Sequence, residues 1–194
     1  MGWSYMNDGT RKDQIDDILR NANYENDCVA SRVVAHSLRG NNLWMVIEKK
    51  DKKSGAVTRF IMLCLLQSGR RYGCGWGYKD MDEGMGPVAV NCPLSYLDLC
   101  TAPMNDYASK WRDRVREYHA TQSKQRAASK ILIPGAKFEL RSGYRPQGTY
   151  YVAPTPQNVI IGKRRSGVSA YGPDGRLYRV TPKHINPDTI VLPA

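Results

Sequence analysis

Residues 29–66, VASRVVAHSLRGNNLWMVIEKKDKKSGAVTRFIMLCLL, decide the fold. Val29 to Leu38 is rich in β-branched residues, although its alternation is poor. Gly40-Asn41-Asn42 then signals a turn, and Leu43 to Glu48 forms a second strand. A polar turn, Asp51 to Gly55, leads into a third strand, Val57 to Leu66. Connections this short suit an antiparallel meander, because parallel neighbours need a long crossover. The almost unbroken apolar run Ile61 to Leu66 predicts a central strand covered on both faces.

Working outward, Thr10 to Asn21 reads as a helix. Thr10 is its N-cap, Asp13 stands at the third helical position, and Ile15, Ile18 and Leu19 form an apolar stripe. On the other side, Pro93 opens a short helix through Cys100. A longer helix starts near Asn105, with Ala108, Trp111, Val115 and Tyr118 on its buried stripe and Arg112, Arg114 and Arg116 on the opposite face. Residues 120–130 contain no large apolar side chain and read as a basic linker or an extension of that helix. After them the period turns strand-like, in Lys137 to Arg141, Thr149 to Ala153, Val159 to Lys163, Val168 to Tyr171 and Leu177 to Thr181. Gly- and Pro-rich turns separate these strands, Pro173-Asp174-Gly175 being the clearest. The expected fold class is α+β. An N-terminal antiparallel sheet with helices fills residues 1–120, a linker or helix extension occupies 121–130, and a small basic SH3-like β-barrel fills 131–194.

Composition narrows the class of protein. The chain is 194 residues long with 41% apolar residues, enough for a core. No apolar run is long enough to span a bilayer, and the N-terminus lacks the basic and apolar regions of a secretory signal. Five cysteines, Cys28, Cys64, Cys74, Cys92 and Cys100, are odd in number and contain no CxxC pair, which fits reduced thiols. Cytoplasmic localisation without a membrane partner is therefore expected. The net charge of +11 is uneven: residues 1–120 hold 17 Lys/Arg and 15 Asp/Glu, whereas residues 121–194 hold 12 and 3, a balance of +9. A polyanionic partner follows from that asymmetry.

The most distinctive segment is Gly75-Trp76-Gly77-Tyr78-Lys79-Asp80-Met81-Asp82-Glu83-Gly84-Met85-Gly86-Pro87. Together with Met1-Gly2-Trp3, Asn91-Cys92-Pro93, Leu97-Asp98-Leu99, Tyr107-Ala108 and Trp111-Arg112, it resembles an uncharacterised family of domains carried by phages, plasmids and other mobile elements. The resemblance covers mainly residues 72–116, and more loosely the C-terminal part. It implies a genomic setting and no particular reaction.

Three kinds of chemistry are open to these residues. Asp80, Asp82 and Glu83 are candidate ligands for a divalent cation, or an acid/base set, which would suit a metal-dependent phosphodiesterase. Trp76, Tyr78, Asp80 and Asp82 are candidates for capturing a protein partner. With the mobile-element resemblance, that reading becomes an inhibitor of a host defence system, of anti-restriction or anti-CRISPR type. Arg141, Arg145, Lys163, Arg164, Arg165, Arg176 and Arg179, interleaved with Tyr144, Tyr150, Tyr151, Tyr171 and Tyr178, are candidates for binding DNA or RNA. The leading expectation is a non-enzymatic mobile-element accessory protein that binds nucleic acid through its C-terminal part, with no cofactor. A Cys92–His119 nucleophile pair is the remaining catalytic candidate, since such pairs meet only in the fold. No GxSxG, HExxH or GxxxxGK[ST] run is present.

Overall fold

Strand pairing begins where the sequence places it. In the computed structural model, which describes residues 2–154 and 167–193, β3 (Val29–Arg39), β4 (Asn42–Asp51) and β5 (Val57–Ser68) pair antiparallel in chain order. β2 (Tyr24–Glu25) joins the free edge of β3. On the other side come β6 (Trp76–Asp82) and then β1 (Ser4–Tyr5), completing a six-stranded sheet in the order β1-β6-β5-β4-β3-β2.

β4 and β5 are the strands buried on both faces, as the apolar run Ile61 to Leu66 predicts for β5. Leu43, Met45 and Ile47 pack with Phe60, Cys64 and Leu66 of β5 against Ile18 of helix α1 (Arg11–Ala22). Trp44 and Val46 pack with Ile61 and Leu63 on the opposite face. There they meet Tyr96 and Leu97 of the short helix α2 (Leu94–Leu97) and Trp111 and Val115 of helix α3 (Asp106–Lys130). Each of these buried aliphatic or aromatic side chains contributes about 1.5–3 kcal/mol relative to exposure. The poor alternation of β3 has a structural cause. A bulge between Val33 and Ala35 turns Val33 to the α1 face and Ala35 to the α3 face, leaving Val34 in solvent.

The α1 boundary follows its capping box, in which the Thr10 hydroxyl accepts from the Asp13 N–H and the Asp13 carboxylate accepts from the Thr10 N–H at 2.7 Å. The α3 stripe is as read for Ala108, Trp111 and Val115, all fully buried. Arg112 is a correction: it lies inside, not on the solvent face with Arg114 and Arg116. It sits at the border of the stripe, and a buried partner draws it in. Its Nε and Nη2 donate to the two oxygens of Glu83 at 2.8 and 2.6 Å, and its Nη1 donates to the Thr101 carbonyl at 2.7 Å. Those bonds to Glu83 raise the Arg112 pKa against the opposing effect of burial.

The chain divides into two compact units, residues 1–119 and 120–194, with the division inside α3. Residues 121–130 are helical, as their Ala, Gln, Lys and Arg content favours. The second unit is built on β7 (Lys137–Glu139), β8 (Thr149–Val152), β9 (Val168–Tyr171) and β10 (Leu177–Val180), an antiparallel sheet in the order β10-β9-β8-β7. The expected strand Val159 to Lys163 lies outside the described residues. One face of this sheet carries the core: Phe138, Tyr150, Val152, Ala170 and Val180, closed by Ile185 and Ala136. After β10, two short 3-10 turns bring the chain back to β7, where Ile185 bridges Leu140 and Val191 bridges Lys137. The architecture is α+β, with helices and an antiparallel sheet in the first unit and a second antiparallel sheet in the other.

The Glu83–Arg112 pair yields a stability test. Arg112→Ala leaves a buried carboxylate without its partner and is expected to cost about 3–5 kcal/mol in urea unfolding followed by circular dichroism. The double variant Glu83→Gln/Arg112→Met should recover much of that loss. A single-variant cost below about 1 kcal/mol would show that the pair is not uncompensated when split.

Candidate nucleic-acid interface

The central segment, distinctive in sequence, is used inside the first unit. β6 lies between β1 and β5, and its alternation sends Trp76 and Tyr78 to the α1 face and Met81 to the α3 face. Gly77 is required by a close approach, since a Cβ there would come within 2.5 Å of the Tyr5 ring. The Arg11 guanidinium lies 5.4 Å from the Trp76 ring centroid, a cation–π contact.

The three carboxylates are not brought together as a site. Asp80 stands beside Cys64 and Tyr78 in a small cavity of about 170 Å³ under α1. Asp82 caps the 3-10 turn Glu83–Met85 by accepting from the Met85 N–H at 3.2 Å. Glu83 is fully buried and bound to Arg112. Among the described residues, no group of three or more His, Cys, Asp or Glu is arranged to hold a metal ion.

Cys92 and His119 do meet, but not as a nucleophile and its base. The His119 Nε2–H donates to the Cys92 carbonyl oxygen at 2.6 Å, not to its sulfur. Burial pushes the Cys92 thiol up to about 12, so it remains protonated and inert near neutral pH.

The outer face of the second sheet has a different character. Strand alternation puts Tyr150 in the core and Tyr151 in solvent. Register then aligns Lys137, Tyr151, Tyr171 and Leu177, one from each of the four strands, in a single row. Tyr151, Tyr171 and Leu177 are 45%, 43% and 58% exposed. The Cβ atoms of neighbouring residues in such a row stand roughly 5 Å apart, so both tyrosines rise from adjacent strands on the same face. The Lys137 ammonium lies 5.5 Å from the Tyr151 ring centroid. In the next row on the same face, Arg179 pairs in register with Ser169.

The predicted basic residues take different roles around this face. Arg176 is exposed in the β9–β10 turn, 3.9 Å from Asp174. The Asp174 carboxylate accepts from the Tyr178 hydroxyl at 2.6 Å, which holds its pKa below the usual carboxylate range. Arg145 is exposed in the loop between β7 and β8. Arg141 is partly structural: its Nε donates to the Ile185 carbonyl at 3.1 Å and fixes the returning tail. It also lines a cleft of about 390 Å³ with Lys124, Ser142 and Asp188. Lys163, Arg164 and Arg165 lie outside the described residues. Tyr144 stacks on His184 at 4.1 Å between ring centroids. Sequence reading missed Lys137 and Leu177 as members of the face. The signal was present in the alternation of their strands, but only the register joins them to Tyr151 and Tyr171.

The cysteine environments predict an order of reactivity. A thiol-reactive disulfide dye added to native protein should modify exposed Cys28 quickly, whereas Cys64 and Cys92, both buried and both pushed up to about 12, should react only on unfolding. Rapid native modification of Cys92, located by peptide mass, would contradict its inert assignment. No family model, no curated protein and no solved structure matches this chain.

Proposed function

We propose that the protein binds nucleic acid through the outer face of its second sheet, with a preference for single strands. The observation that carries the reading is the exposed row Lys137–Tyr151–Tyr171–Leu177, with Arg179 beside it. Aromatic rings on a sheet surface stack on unpaired bases, which a duplex does not offer, while neighbouring cations take the phosphates. The +9 balance of residues 121–194 supplies the long-range attraction. Four antiparallel strands, a 3-10 turn and a tail returning to β7 support a small SH3-like barrel as the finer description of this unit. The resemblance of residues 72–116 to a family carried by mobile elements supports a phage or plasmid as the genomic setting of this accessory role.

A protein partner is the second reading, moved to different residues. Trp76 and Tyr78 are engaged within their unit, but Met85, Val88, Met104 and Tyr107 are exposed apolar side chains around one loop. Met104 lies against Gly84 and Tyr107 against Gly86. Met and aromatic side chains of this kind are enriched at protein interfaces. A partner captured from nuclease-treated host lysate by wild type and lost in Tyr107→Ser/Met85→Ser would support this reading. Equal capture by the variant would remove it.

Fluorescence anisotropy tests the first reading directly. Wild type should bind labelled single-stranded oligonucleotides more tightly than duplex of the same length, with affinity falling steeply as salt rises. Tyr151→Ala and Tyr171→Ala should each weaken binding by about 1–3 kcal/mol. Arg179→Ala should reduce the salt dependence. Absence of binding at low salt, or binding indifferent to both tyrosines, would sink the proposal.

A further inference from the structure

A second basic site lies on the first unit, where the overall charge balance gives no hint of one. On the α3 face of the sheet, beyond the cover of the helices, Arg32, Glu48 and Arg59 form one register row across β3, β4 and β5. Glu48 is buried and accepts from the Arg32 Nε at 2.6 Å and from the Arg59 Nε at 2.7 Å. Those two bonds hold its carboxyl below the usual carboxylate range, so it stays ionised and keeps both guanidinium groups in place. Among the described residues, the hydrogen bonds of both side chains run through Nε alone, leaving their terminal N–H groups for a ligand.

The next row on the same face is Glu25, Ala30, Lys50 and Val57. Ala30 is short, and Lys50 is exposed. Between the two rows and Thr101 opens a basin of about 890 Å³. Thr101 is pinned there by its N–H, which donates to the Arg59 carbonyl at 3.0 Å, and by its hydroxyl, which accepts from the Arg59 N–H at 3.1 Å. Glu25 is paired with Lys52 at 2.7 Å. Arg32, Arg59, Lys50 and Lys52 against Glu48 and Glu25 leave a net local charge of +2.

We propose that this basin binds a phosphate monoester. Its net charge complements the dianion. Two guanidinium groups fixed in advance by a shared buried carboxylate present planar forks to phosphate oxygens, with little side-chain freedom left to lose. Lys50 supplies an exposed third cation, and the volume accommodates a nucleotide-sized ester. The phosphate belongs either to a free small ester or to the 5′ end of a nucleic acid. This site is independent of the aromatic face of the second unit.

The test uses the full chain carrying Tyr151→Ala/Tyr171→Ala, so that the outer face of the second sheet contributes little. Calorimetry is run with inorganic phosphate, a nucleoside monophosphate, and one short oligonucleotide with a 5′-phosphate or a 5′-hydroxyl, with acetate as the carboxylate control. Phosphate and the monophosphate should bind, acetate should not, and the Arg32 and Arg59 Nε–H resonances should shift on binding. Arg32 is 68% exposed, so Arg32→Gln should keep the fold and weaken binding roughly tenfold or more, with Lys50→Ala in the same direction. Tight binding of the 5′-phosphorylated oligonucleotide but not of its 5′-hydroxyl form would identify a nucleic-acid end. Comparable affinity for the free monophosphate would identify a small ester. No binding of any phosphate ligand, or binding unchanged in both Arg32→Gln and Lys50→Ala, would overturn the proposal.

Discussion

A single chain of hydrogen bonds, charge-assisted at both ends and neutral where Thr101 meets the Arg59 backbone, ties the first unit together. Buried Glu83, just past the end of β6, binds Arg112 of α3; Arg112 binds the Thr101 carbonyl; Thr101 binds the backbone of Arg59 on β5; Arg59 binds Glu48 on β4; and Glu48 binds Arg32 on β3. It starts at a fully buried ion pair, where splitting the charges is costly, and ends at Arg32, whose guanidinium is 68% exposed and held at Nε by the buried Glu48. The buried end therefore fixes geometry, and the exposed end is available for binding. Of the three carboxylates of the central segment, Glu83 belongs to this chain, and Asp82 caps the 3-10 turn that follows β6.

The second constraint is the two-sided burial of β4. A strand apolar on both faces must be covered twice, and the chain does this with α1 on one side and α2 with α3 on the other. That arrangement explains why Trp76 and Tyr78 are half-buried. Their strand extends the same sheet, and their side chains complete the α1 layer. Trp111 is held on the other layer by its ring contact with Trp44, 5.8 Å between centroids, and by donation from its Nε1–H to the Ala89 carbonyl at 3.0 Å.

The two units divide their surfaces accordingly. The first presents Arg32 and Arg59 arranged around the buried Glu48. The second presents aromatic rings on an open sheet face, in a segment rich in Lys and Arg. The two proposed sites would engage phosphate-bearing ligands by different means: one through fixed forks, the other through stacking with cations alongside.

The sequence by itself determined the strands of residues 29–66, the capped helix at Thr10, the buried stripe of Ala108, Trp111 and Val115, and the basic bias after residue 120. These are local signals, set by side-chain periodicity, turn chemistry and composition within a few residues. Only the tertiary structure decided which charged groups are structural. Glu83 and Arg112 are 29 positions apart, and nothing in their neighbourhoods marks either for burial. Strand register likewise had to join Lys137, Tyr151, Tyr171 and Leu177 into one face, and Arg32, Glu48 and Arg59 into one row. The bulge at Val33/Ala35 sets which side of the sheet each β3 side chain reaches, and alternation alone could not reveal it. Pairings over such separations depend on how strands align and helices cover them, so their chemistry exists only once the chain has folded.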